Sequence, residues 1–162
     1  MITLPIYKHS YDMSGAHYFV NLTIDDHAVD FLIDTGATNT VISIELAKQL
    51  ESFSQCINLN ENPIITFSDT IKEVAIVPIK NFLIGDKLLN NILVVATNFS
   101  FIKNQSSLEN FKSFDAVLGI DLLSLFNAKI DFKNNTISFY FPSKRFLKKY
   151  YNELLENIKK TN

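Results

Sequence analysis

The sequence predicts a mostly β fold, a small barrel or sandwich, and three observations carry that prediction. Short runs of β-branched and aromatic residues recur at close spacing, separated by Asp, Asn, Gly and Ser turns. Fourteen Phe and six Tyr stand against no Trp, an aromatic supply that suits packed strands better than a helical bundle. Only four Gly and four Pro punctuate 162 residues, with no repeat, biased tract or Pro/Ser-rich linker. Residues 1–162 are therefore read as one domain, long enough to bury a core.

The elements follow in chain order. "HYFVNLTID" (17–25) and "AVDFLID" (28–34) flank Asp26-His27 and read as a hairpin. "SIELAKQL" (43–50) offers Ser43 as the N-cap of a helix, with apolar residues at helical spacing behind it. "PIITF" (63–67) and "IKEVAIVPI" (71–79) flank Ser68-Asp69-Thr70, a second hairpin with a polar tip. "NFLIG" (81–85) and "KLLNNILVVAT" (87–97) flank Gly85-Asp86, a third, and the polar stretch 98–113 reads as loop. "FDAVLGIDLLSLF" (114–126) is an apolar strand, a Gly and a short helical pattern. "AKIDFKNNTISFYF" (128–141) is a hairpin about Asn134-Asn135. Over 143–160, Leu147, Tyr150, Tyr151, Leu154, Leu155 and Ile158 fall on one face of an amphipathic C-terminal helix.

Composition also excludes. Hydrophobic residues make up 47% and charged residues 20%, so the chain reads as globular rather than disordered. A net charge of −2 gives no basic excess for nucleic acid. The start, "MITLPIYKHSYDMSG", lacks a secretory pattern, and no apolar stretch is long enough for a membrane helix. The lone Cys56 points to a reducing compartment, so the expected location is cytoplasmic, with no membrane partner. His9, His17 and His27 share no metal-ligand spacing with Cys56 or with each other, and no metal or cofactor is implied.

The segment "FLIDTGATNTVIS" (31–43) carries the functional argument. Val29, Phe31 and Ile33 alternate into Asp34, and a small-residue corner of Thr35, Gly36 and Ala37 follows. An Asp at such a place can simply open a type I turn. With its context, however, the segment resembles the active-site loop of single-domain, retropepsin-like aspartic proteases. "AVLGIDLLSLF" resembles that family's second landmark, two apolar residues and a Gly before a short helix. The resemblance spans about residues 17–141 and implies a closed acid-protease barrel, here with an added C-terminal helix.

That resemblance implies a chemistry. Two carboxylates share one proton: the ionised one takes a proton from water, and the protonated one donates to the scissile carbonyl. This chain has one D-T-G and is too short for two lobes, so the second Asp34 must come from another copy. The implied enzyme is a homodimer that cuts peptide or protein substrates. Gly36 would permit close backbone approach, Thr35 would hydrogen-bond to the partner's loop, and Ala37 would leave room for substrate. Ala37 also lacks the hydroxyl donor that some relatives carry there, which implies activity from mildly acidic to near-neutral pH. Phe67, Ser68, Asp69 and Thr70 occupy the flap position over the substrate. Val117 and Leu118 would fill core beneath the catalytic loop, Gly119 would let chains cross closely, and Asp121 would cap the helix beginning at Leu122.

Departures from the family keep a second class open. The flap tip lacks Gly, and Asn39 and Ile120 stand where viral members place an Asp–Arg ion pair. A dimerisation or binding module with little or no proteolysis is therefore the alternative, and a β-barrel ligand binder is a third reading.

Overall fold

Paired strands dominate the structure, a computed structural model that describes residues 1–11, 15–58, 64–65, 70–71, 74–100 and 112–161. The first strand, β1 (Ile2–Ser10), is one the sequence reading does not anticipate. β2 (Ala16–Ile24) and β3 (His27–Ile33) then form the first hairpin. Its turn is Asp25-Asp26, one residue earlier than expected. Both Asp take positive φ, 42° and 66°, as a primed two-residue turn requires to match the strand twist. β4 (Val41–Ser43) runs into α1 (Ile44–Ala47), where the Ser43 hydroxyl accepts the Leu46 N–H at 3.1 Å. The cap is as expected, but α1 is short and a 3-10 helix, Glu51–Gln55, soon follows.

β5 (Ile57–Asn58) is followed by β6 (Ile64–Ile65) and β7 (Thr70–Ile71), which pair antiparallel. Thr70 lies in a strand rather than at the expected tip, and Phe67, Ser68 and Asp69 lie outside the described residues. β8 (Val74–Ile79) and β9 (Phe82–Ile84) come next. The single run expected over 87–97 is two strands, β10 (Lys87–Leu89) and β11 (Ile92–Thr97), broken where Asn91 takes a φ of 58°. β12 (Ala116–Leu118) leads through Gly119 to α2 (Ile120–Leu125). The last hairpin joins β13 (Lys129–Asp131) and β14 (Thr136–Phe139), and α3 (Lys144–Thr161) ends the described chain.

The strands join in the order β13-β14-β1-β2-β3-β12-β4-β11-β8-β5, with β9 and β10 attached through β2. This is an open path rather than the closed barrel the sequence predicts. Its terminal strands, β13 and β5, are only three and two residues long and do not pair with each other. β1 changes partner midway: Ile2 to Pro5 face β14, and Ile6 to Ser10 face β2. Pro5, which has no N–H to give a ladder, sits at that switch.

Side chains alternate between two apolar layers. Phe31, Ile42, Leu118 and Phe139, all fully buried, belong to the main core. Phe19, Leu32, Phe99 and Phe114 form a second, smaller cluster, against which half-buried Val41 and Val117 pack. Val117 and Leu118 were expected to fill core beneath the catalytic loop, and both pack into apolar clusters. The two-residue period of β12 sends them to opposite faces, Leu118 inward and Val117 to the aromatic cluster. Among the described residues, no helix is long and apolar enough to cross a membrane.

Candidate active site

The position of β12 generates the site. It is inserted between β3 and β4, parallel to β3 (Leu118 opposite Ile33) and antiparallel to β4 (Ala116 opposite Ile42). Since β3 and β4 are consecutive, the 34–40 loop joining them must wrap the point where the chain leaves β12. Backbone bonds lock the crossing: the Asp34 N–H donates to the Leu118 carbonyl at 3.1 Å, and the Ile120 N–H to the Ala37 carbonyl at 2.8 Å. Gly119 occupies the contact. A Cβ there would lie 2.4 Å from both the carbonyl carbon and oxygen of Asn39, and 2.8 Å from the Thr40 nitrogen. The close crossing assigned to Gly119 is thus a steric requirement. Its φ of −88° is ordinary backbone.

Within the loop, the Asp34 carboxylate accepts the Gly36 N–H at 2.8 Å, and the Ala37 N–H reaches the Asp34 carbonyl at 3.3 Å. A Cβ on Gly36 would press to 3.2 Å from that carboxylate oxygen. Asp34 is half-buried, whereas Thr35 and Gly36 are exposed. The Thr35 hydroxyl has no hydrogen-bond partner among the described residues.

Two supports escaped the sequence reading. Thr40, wholly buried, accepts the Gly119 N–H on its hydroxyl at 3.1 Å and donates to Asp121 Oδ1 at 2.7 Å. It ties the loop to α2, the two segments that the missing ion pair joins in viral relatives. Asp121 departs from its expected role. α2 begins at Ile120 with Gly119 as its N-cap, so Asp121 lies inside the first turn, where its carboxylate accepts from Thr40 and the Leu122 N–H. No local signal marks this pair, because its members are 81 residues apart.

His17 is the second. Burial holds its pKa below the ordinary imidazole value and His9 lowers it further, while the Asp34 charge pulls it back up, so His17 and Asp34 share one electrostatic neighbourhood. The His17 Nδ1 lies 2.7 Å from the Tyr11 hydroxyl, and its ring meets Phe19 and Phe114 edge-on at 6.3 and 6.2 Å. Leu32 of the aromatic cluster lies two residues before Asp34, the spacing that places side chains on one face of a strand.

A different acid, Asp25, is buried but already committed. It accepts the Ser52 N–H at 2.9 Å, the Ser52 hydroxyl, and the Asn81 N–H at 3.1 Å, knotting the β2–β3 turn to two other loops. Such saturation is structural rather than catalytic. Among the described residues, no three His, Cys, Asp or Glu side chains could hold a metal ion.

An Asp at the end of β3, clasped by a Gly N–H and crossed by a Gly-bearing strand exit, lies within the stretch that a family model matches. That model, described as "gag-polyprotein putative aspartyl protease", matches residues 20–124. The chain belongs to this aspartic protease family. Solved structures agree on the retropepsin-like fold. The retroviral protease-like domain of Ddi1 from Leishmania major is 15% identical with a TM-score of 0.54, the match covering 75% of this chain and 86% of that one. A retropepsin-like aspartic protease from Rickettsia conorii is 20% identical with a TM-score of 0.50, covering 84% and 87%. No curated protein sequence matches the chain.

Proposed function

We propose that this family member is a homodimeric aspartic endopeptidase in which Asp34 of each copy supplies half of a catalytic dyad. The observation that carries the reading is the clasp on Asp34: a carboxylate fixed by the Gly36 N–H, on a loop anchored at Leu118 and Ile120. In the dimer the two Asp34 groups share one proton, because two like charges a few ångströms apart do not both ionise. The ionised carboxylate draws a proton from a water, which attacks the peptide carbonyl. The protonated carboxylate hydrogen-bonds to the carbonyl oxygen and then transfers its proton as the tetrahedral centre forms. Thr35 offers its free hydroxyl to the partner's loop and holds the two acids in register. By the family resemblance, Phe67, Ser68, Asp69 and Thr70 cover the substrate. β13, which ends the sheet with one side unpaired, offers an edge for a second copy. The cytoplasm is the proposed location.

The test is a mixing experiment. Asp34→Asn should abolish peptide cleavage while leaving the dimer intact by sedimentation. Equal amounts of wild type and Asp34→Asn, allowed to exchange, should show about a quarter of the activity of wild type at the same total protein concentration, since only like pairs of wild type carry a full dyad. Activity falling only to about half would place a complete site in each chain and overturn the shared dyad.

A second reading has its own support: one structural neighbour is a protease-like domain of Ddi1. On that reading the fold serves as a dimerisation or binding module. Asp34→Asn would then leave every measurable function unchanged.

A further inference from the structure

α3 leaves an unfilled space against the sheet. Leu147, Tyr151 and Leu155 recur at four-residue spacing, as an apolar face should, yet Leu147 and Leu155 are only half-buried. Between this face and Ile57, Pro78 and Ile92 of the sheet lies a cleft of about 700 Å³ that is partly open to solvent. That volume falls in the range of small-ligand sites. None of Asp34, Thr35, Gly36 or Ala37 lines it.

Its described lining is one-sided in charge. Lys144 and Lys148, one helical turn apart on α3, meet Lys87 from β10 around the cleft, and no Asp or Glu is among the described residues that line it. In a chain with 17 acidic and 15 basic residues, such a separation opposes the overall balance. Lys144 and Lys148 have no acidic partner among the described residues, and Lys87 sits 5.8 Å from the centre of the Phe141 ring. Tyr151, which also lines the cleft, buries a hydroxyl with no hydrogen-bond partner among the described residues.

We infer that this cleft binds a single-chain amphiphile with an anionic head, a medium- or long-chain carboxylate. The alkyl chain lies between α3 and the sheet, and the carboxylate meets the three lysines. Both parts of the lining are needed for this choice. A free inorganic anion would have no use for the apolar walls, and a neutral hydrocarbon none for the lysines. The inference is independent of proteolysis, because its site and its readout are separate from Asp34.

Calorimetric titration of the full chain tests it, with decanoate below its micelle concentration, 1-decanol as the neutral match, and phosphatidylcholine vesicles with and without phosphatidylserine. Decanoate should bind saturably, one per chain, and about tenfold more tightly than 1-decanol. The double variant Lys144→Glu/Lys148→Glu changes only exposed positions. It should weaken decanoate by about tenfold or more while leaving 1-decanol unchanged. Leu155→Trp, which fills the space, should weaken both. Three results would each overturn the inference: no saturable decanoate binding, equal affinity for the acid and the alcohol, or unchanged decanoate binding in the double variant. Binding to phosphatidylserine vesicles without binding of free decanoate would also overturn it, making the lysines a membrane-facing patch.

Discussion

Two regions of this molecule pack in opposite ways. Where the 34–40 loop crosses the exit of β12, a single added methyl group would lie 2.4 Å from backbone atoms. Where α3 meets the sheet, about 700 Å³ is left open and much of the helix's apolar face is only half-covered. The crossing is over-determined. Asp34, Gly36, Gly119 and Ile120 each have their backbone N–H bonded to the opposing segment or to the loop itself. Chemistry that relies on an acid placed to within a fraction of an ångström calls for that redundancy. An added helix has only to cover apolar surface, and it can do so loosely. The retropepsin-like fold shared with solved structures at only 15% and 20% identity fits a design in which a few close contacts, such as this crossing, are tightly constrained.

The contrast is most easily broken at Gly119. Gly119→Ala would drive a methyl into the Asn39 carbonyl and the Thr40 nitrogen, backbone atoms that cannot step aside as a side chain can. The expected cost is on the order of 4 kcal/mol or more, enough to leave much of the protein unfolded at ambient temperature. Thermal unfolding followed by circular dichroism measures it. A melting temperature within a few degrees of wild type would mean that the crossing yields, and that the rigidity argued here is misplaced.

Thr40→Val probes the same region more gently. It keeps the shape and removes the hydroxyl that bridges the Gly119 N–H and Asp121. A buried donor and a carboxylate lose their partner, at an expected cost of about 2–3 kcal/mol. Thr40→Ser, which restores the hydroxyl, should recover most of the loss in denaturant melts. If Ser is no better than Val, the methyl packing matters and the hydroxyl bridge does not.

What the sequence revealed follows the range of the interactions involved. The corner of Asp34, Thr35, Gly36 and Ala37 at the end of β3 was legible as strand and turn because those patterns act over a few residues, whereas its reading as a site rests on the family resemblance. Gly119 was legible because few roles demand the absence of a side chain. Thr40 was not: its hydroxyl acts through Gly119 and Asp121, 79 and 81 residues away. Val117 and Leu118 were legible as core, but not that they serve two layers, because an apolar pair reads the same whether one or both faces are covered. β1 was missed because Pro5 and the polar Lys8 and His9 interrupt its pattern, whereas in the fold Pro5 marks a change of partner. Closure of the sheet was expected from the family resemblance. It depends on whether the terminal strands meet, and no local pattern records that.

The helix seam responds in the opposite direction. Tyr151 is 6% exposed and its hydroxyl lacks a partner among the described residues. Burial raises its pKa far above the ordinary phenol value, and Tyr150 and Asp121 push the same way. In the unfolded chain the hydroxyl is hydrated, so folding forfeits a hydrogen bond and regains none. Tyr151→Phe keeps the ring and removes the orphaned group, and it should raise stability by about 1 kcal/mol. Replacing a native side chain in a tightly fitted region is expected to cost stability, so a gain here would mark the seam as the loosely optimised part of the molecule. A rise in melting temperature, with the denaturant slope unchanged, is the outcome that supports the contrast. A fall of similar size would mean that the hydroxyl is satisfied in solution and that the seam is as closely fitted as the crossing.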